Sequence, residues 1–162
     1  MIEVDRMKIV DYAYEYALYH NKTFSYLGNM YSGGSDCANF VSQSIHYAGS
    51  PMNFNNPLWY YRNKNDYSIS WATAHGLYWL LLENYRRNLK GPKGKIIDKS
   101  EAAPGNLVFF QKKNNFIFHS AIVTSFNKLG DPLISQHSID ALNKEINPNY
   151  YFLNMYFIEV YI

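Results

Sequence analysis

One cysteine and two of the five histidines are the residues of this chain whose types and spacing could do nucleophilic chemistry. Cys37 follows Gly33, Gly34, Ser35 and Asp36. It opens a stretch in which Phe40, Val41, Ser44, Ile45 and Ala48 recur at helical spacing, with Gly49 as a stop. Asp36 is placed to cap that helix, which puts Cys37 at its first position. The free N–H groups and positive dipole end of a helix start favour a thiolate there. The competing reading is a small buried hydrophobe.

A thiol nucleophile needs a base, and the base needs an orienting group. His20 lies at a helix end, and His75 sits in a second amphipathic helix. His46 is about 13 Å along the helix axis from Cys37, too far to act on it. His119 and His137 differ, because each falls in a predicted strand among apolar neighbours. Alternation puts His119 with Ala121 and Val123, and His137 with Ser135. Paired as a hairpin, the two imidazoles become cross-strand neighbours, one to take the thiol proton and one to orient it. Asp140 is a second candidate orienter. Two satisfied, partly buried histidines are the alternative, and a three-ligand Cys/His/His metal site is a competitor. The reading carries no metal and no cofactor.

Several elements must position these groups. Residues 5–19 read as an amphipathic helix capped by Asp5. Residues 21–35 form an aromatic loop, in which Tyr26 and Tyr31 read as boundary packing, with donation to a developing oxyanion as the functional alternative. Residues 49–70 form a long loop containing Trp59, Tyr60 and Tyr61, candidates for a substrate groove or for anchors of a surface loop. Ser70 caps a helix over 71–89. The period then changes to strands at 106–110, 116–125, 133–138 and 155–161. Helices first and an antiparallel sheet afterwards make this an α+β chain, and no boundary divides residues 1–162 into more than one domain.

The totals narrow the function classes. At 162 residues with net charge +2, the chain lacks the concentrated basic face of a nucleic-acid protein. The 16 tyrosines and 10 phenylalanines suit a core and its boundary, or a groove for a sugar or peptide. A single cysteine excludes an intrachain disulfide and a multi-cysteine metal site. No apolar run approaches a membrane span, and Met1 to Arg6 is not a signal peptide. The sequence as given therefore reads as cytoplasmic, although a processed or trimmed cell-wall protein would look the same.

The segment from Asp36 to Gln43, followed by Tyr47-Ala48-Gly49, resembles the nucleophile segment of the putative amidase domain family, a bacterial branch of the papain-like group that includes NlpC/P60 peptidoglycan peptidases. Further motifs carry the resemblance along most of the chain: Asp5-Arg6 with Ala13 to Asn21, Trp59-Tyr60-Tyr61, Ser70-Trp71, Pro104 to Phe110, His119 to Thr124, and Gln136 to Asp140. The resemblance implies Cys37 as nucleophile, His119 as general base and His137 as the polar group that orients it. It implies a papain-like, NlpC/P60-type fold and amide hydrolysis, with peptidoglycan peptides or muropeptides as substrates. A binding module of the same fold, holding a peptide or glycan without cleaving it, is the alternative. The chain departs from the family at Asn106, where an aspartate is usual, and has no glutamine shortly before Cys37.

Overall fold

In the computed structural model, residues 1–28, 35–147 and 152–162 are described. Tyr31 lies outside them. Helix α1 (Arg6–Tyr16) starts at Asp5, whose carboxylate accepts from the Met7 N–H. Helix α2 (Asp36–Tyr47) carries the cysteine. A small hairpin of β1 (Tyr61–Asn63) and β2 (Asp66–Tyr67) follows within the segment expected to be loop.

The helix expected over 71–89 is two helices. α3 (Ile69–Ala72) is capped by the Ser68 hydroxyl, which accepts from Trp71 N–H. α4 (Ala74–Arg87) is capped by Thr73, which accepts from Gly76 N–H. Thr73 breaks the run by taking an extended conformation, φ −127° and ψ 136°. Ser70 is not the cap, because its hydroxyl donates to the Leu58 carbonyl instead.

The second half is one antiparallel sheet of six strands in the order β3-β8-β4-β5-β6-β7. These are β3 (Lys93–Ile97), β4 (Leu107–Gln111), β5 (Ile117–Phe126), β6 (Pro132–Gln136), β7 (Ala141–Glu145) and β8 (Asn154–Tyr161). The architecture is thus α+β, with N-terminal helices against a C-terminal antiparallel sheet. The two strands not anticipated are the least patterned. β7 is half-exposed along most of its length. β3 begins Lys-Gly-Lys, which reads as a helix stop. Gly94 is needed there for close approach: a Cβ would lie 2.6 Å from Ile158 Cγ2 and 2.9 Å from Leu81 Cβ, so only glycine lets α4 settle onto the sheet.

The main core lies between helices and sheet and joins Ile9, Phe40, Ile45, Trp71 and Leu81 to Leu107, Phe109 and Ile122. Val108, Phe110, Ala121, Val123, Ile134 and Phe157 form a second cluster on the other sheet face. Among the described residues no helix is long and apolar enough to cross a membrane.

Candidate active site

Ser35, with extended backbone, is the N-cap of α2, and Asp36 and Cys37 are its first two helical residues. The cap expected at Asp36 therefore sits one residue earlier. The reason is that the Asp36 carboxylate is taken up by partners other than the backbone N–H groups of its own helix. Its Oδ1 accepts from Leu27 N–H and Asn39 Nδ2, each at 2.8 Å, and its Oδ2 meets His137 Nδ1.

Cys37 is 2% exposed and lies in hydrogen-bond contact with His119. The Ser35 hydroxyl is 3.0 Å from its sulfur, and the backbone of Ser120 also bonds it. Burial pushes the thiol up, but His119, Ser35 and the Ser120 amide outweigh burial and bring it down to about 7. Burial likewise disfavours the charged form of His119, while Cys37 and Gln136 more than compensate and raise it above the ordinary histidine value. Opposite shifts on two touching groups describe a thiol–imidazole pair poised to become thiolate and imidazolium.

His119 stands just after a bulge. Phe110 pairs with His119 and Gln111 with Ile117, so Phe118 is the extra residue in β5. Bulges interrupt alternation and re-aim side chains. The Nε2 of His119 is 2.9 Å from Gln136 Oε1, leaving Nδ1 as the ring nitrogen available to the thiol. The orientation of the Gln136 amide is also fixed, since its Nε2 donates to the Ile139 carbonyl at 2.9 Å.

The structure does not bring His137 beside His119. β5 and β6 do pair antiparallel, but the register matches Val123 with Ile134 and Ile122 with Ser135. Gln136 thus shares the face of Ile134, Val123 and His119. His137 falls just past the end of β6, in a turn. A one-residue difference in parity moves a side chain to the other face. His137 is buried against Phe40, ring centroids 4.2 Å apart. Its Nδ1 meets the Asp36 carboxylate and its Nε2 meets the Tyr16 carbonyl at 2.8 Å. The Asp36 carboxylate and the Tyr16 carbonyl both accept, an arrangement that favours a ring protonated on both nitrogens. Burial lowers its pKa, but Asp36 and the Tyr16 carbonyl raise it further than burial lowers it.

The remaining candidates separate. Asp140 pairs with exposed His20 at 2.9 Å rather than with His119. His20, His137 and Asp140 have ligand atoms within 4.8 Å of one another, but their facing atoms already bond one another or the Asp36 and Tyr16 acceptors. Cys37 and His119 belong to no metal-binding group among the described residues. Trp59 and Tyr61 are core rather than groove wall. The Trp59 indole donates to Ser42 Oγ, and the Tyr61 hydroxyl accepts from Ser25 N–H. Half-buried Tyr60 is occupied at its hydroxyl by Asp66. Tyr26 stays at the site: it stacks on His20 with centroids 4.5 Å apart and hydrogen-bonds Ser138. A Cβ on Gly28 would stand 2.0 Å from Tyr26 Cε1, so glycine there admits the ring.

Three neighbours of Cys37 and His119 were not anticipated. Gln136 was legible from parity once the register was known. Ser35 was legible as a polar residue two places before the thiol. Ser138 carried no signal of its own.

A model of the putative amidase domain matches residues 3–158. The chain is 25% identical over 142 residues to the uncharacterized protein YhbB of Bacillus subtilis strain 168, covering 86% of this chain and 43% of that protein. It therefore spans less than half the length of that relative. No solved structure matches.

Proposed function

The chain belongs to the putative amidase domain family, and on that premise we propose that it is a cysteine-dependent amide or peptide hydrolase of papain-like, NlpC/P60-type fold, formed as one domain by residues 1–162. The observation that carries the reading is the contact of Cys37 with His119, backed by Gln136.

The Cys37 thiolate attacks the amide carbonyl carbon, and the carbonyl π electrons move to oxygen. The Cys37 backbone N–H and the Tyr26 hydroxyl face that oxygen. Collapse breaks the C–N bond, and the His119 imidazolium gives its proton to the departing amine. Neutral His119 then takes a proton from water, whose oxygen attacks the thioester. The acid leaves and the thiolate–imidazolium pair returns. Gln136 fixes the ring of His119, the role expected of His137, while His137 braces Asp36. Peptidoglycan peptides are the substrate class that the family resemblance favours. The test is incubation with muropeptides and mass analysis of the products beside Cys37→Ala. Cleavage by the wild type alone is expected, and cleavage by both would reject the mechanism.

The near-complete burial of Cys37 favours a second reading, a binding module that holds a peptide or glycan without cleaving it. Muropeptide binding without products, and a thiol that iodoacetamide labels only after unfolding, would select it.

A further inference from the structure

We propose that Ser138 supplies a hydroxyl donor to the oxyanion formed at Cys37, an inference that rests on the hydrolase reading and assigns this residue to the same site. The Cys37 backbone N–H donates to Ser138 Oγ at 3.2 Å, across a separation of 101 residues. That amide is the helix-start donor nearest the reacting sulfur, so whatever accepts from it stands where a developing oxyanion would stand. Ser138 Oγ also bonds the Tyr26 hydroxyl. The hydroxyl thus sits between the two groups that would face the oxygen, in a residue that is exposed at the mouth of the site.

Its backbone is an independent observation. Ser138 has φ +74°, a left-handed conformation in a residue other than glycine. Such strain persists where the surroundings over-determine it, and it clusters at functional sites. The surroundings here are its two predecessors: Gln136 is anchored on His119 and His137 on Asp36. Three consecutive residues therefore deliver one side chain each to the base, to the helix start and to the amide of the nucleophile. A hydroxyl both accepts and donates. At rest it accepts from Cys37 N–H. When a carbonyl oxygen takes that place and gains negative charge, rotation about the Ser138 Cα–Cβ bond moves the Oγ aside and rotation about Cβ–Oγ turns its O–H to donate to that oxygen.

The test compares two reactions of the same thiol. Acylation by p-nitrophenyl acetate forms an S–C bond, places a negative charge on the carbonyl oxygen and then expels nitrophenolate. Alkylation by iodoacetamide displaces iodide and makes no oxyanion. Ser138→Gly removes the hydroxyl and suits φ +74° without strain, and Ser138→Ala removes the hydroxyl alone. Both should slow the nitrophenolate burst at least about a hundredfold, the low side of the loss of one oxyanion donor. Neither should change the iodoacetamide rate or its pH inflection. An unchanged or faster burst would overturn the proposal, the faster one marking Ser138 as an obstruction. Absence of any burst from a wild-type thiol that alkylates with an inflection near 7 would overturn it too. A wild-type inflection near that of a free thiol is the separate failure of the hydrolase reading.

Discussion

At the scale of single residues, the chemistry depends on three groups converging on one sulfur. Burial alone would make Cys37 inert, and the helix start alone would have to overcome that burial unaided. His119 is the first of the compensating partners. Replacing it should therefore return the thiol toward and above the free value of about 8.5. In His119→Ala, iodoacetamide labelling at pH 7 should fall by more than about tenfold, because most of the thiolate is lost, and its inflection should move up from about 7. An unmoved inflection would mean that the imidazole does not activate the thiol. Gln136 and His137 divide cleanly in the same measurement. Gln136→Ala frees the ring of His119 and should raise the inflection. His137→Gln leaves the bond between His119 and Gln136 intact and should move it less than Gln136→Ala does. The reverse order would restore the orienting role to His137.

At the scale of elements, α2 shows why its motif is so polar on a buried helix. Asp36, Asn39, Ser42 and Gln43 are all buried, and together they tie α2 to several other parts of the chain. Asp36 holds His137 and the Leu27 amide. Asn39 accepts from the Trp71 indole at 2.9 Å and donates to the Ser25 carbonyl at 3.0 Å. Ser42 donates to the Trp71 carbonyl and accepts from the Trp59 indole. Gln43 accepts from the Tyr12 hydroxyl. The pair of Asp36 and His137 also makes stability depend on pH. The folded pKa of His137 lies above its unfolded value, so the stabilisation is fully present below about pH 6.5 and is lost as pH rises through the folded pKa. Urea unfolding across pH 5 to 9 should show stability falling with pH in this range, and His137→Gln should flatten the slope. Asp36→Asn leaves a buried imidazolium without its anion and should cost about 3–5 kcal/mol. A pH slope that survives in His137→Gln would assign the dependence to other groups.

At the scale of the whole molecule, helical periodicity, turn residues and apolar strands were enough to read helices before sheet and the four most apolar strands, but not the β1–β2 hairpin, β3, β7 or the break between α3 and α4. What the sequence could not carry was register. The parity that selects Gln136 over His137 depends on pairing between β5 and β6, and the bulge at Phe118 depends on pairing with β4. Likewise, Trp59 and Tyr61 read as groove or anchor until the contacts of their polar atoms fixed them in the core. The departure at Asn106 is settled by the same kind of geometry. Its Oδ1 accepts from Ala103 N–H at 2.7 Å, and its backbone carbonyl accepts from Val123 N–H at 2.9 Å. It is a turn former before β4, four residues from Phe110, the partner of His119, or about 13 Å along a strand. Its Nδ2 is buried without a partner, so the amide serves the turn through its oxygen alone. Asn106→Ala strips the half-buried Ala103 N–H of its acceptor and should cost about 0.5–1.5 kcal/mol in urea unfolding. Asn106→Asp keeps that acceptor but puts a negative charge on a buried side chain, where salt screens little, so it should raise the iodoacetamide inflection of Cys37, by no more than about one unit at this distance. An unmoved inflection would mean that this turn is not electrostatically coupled to the thiol across the sheet.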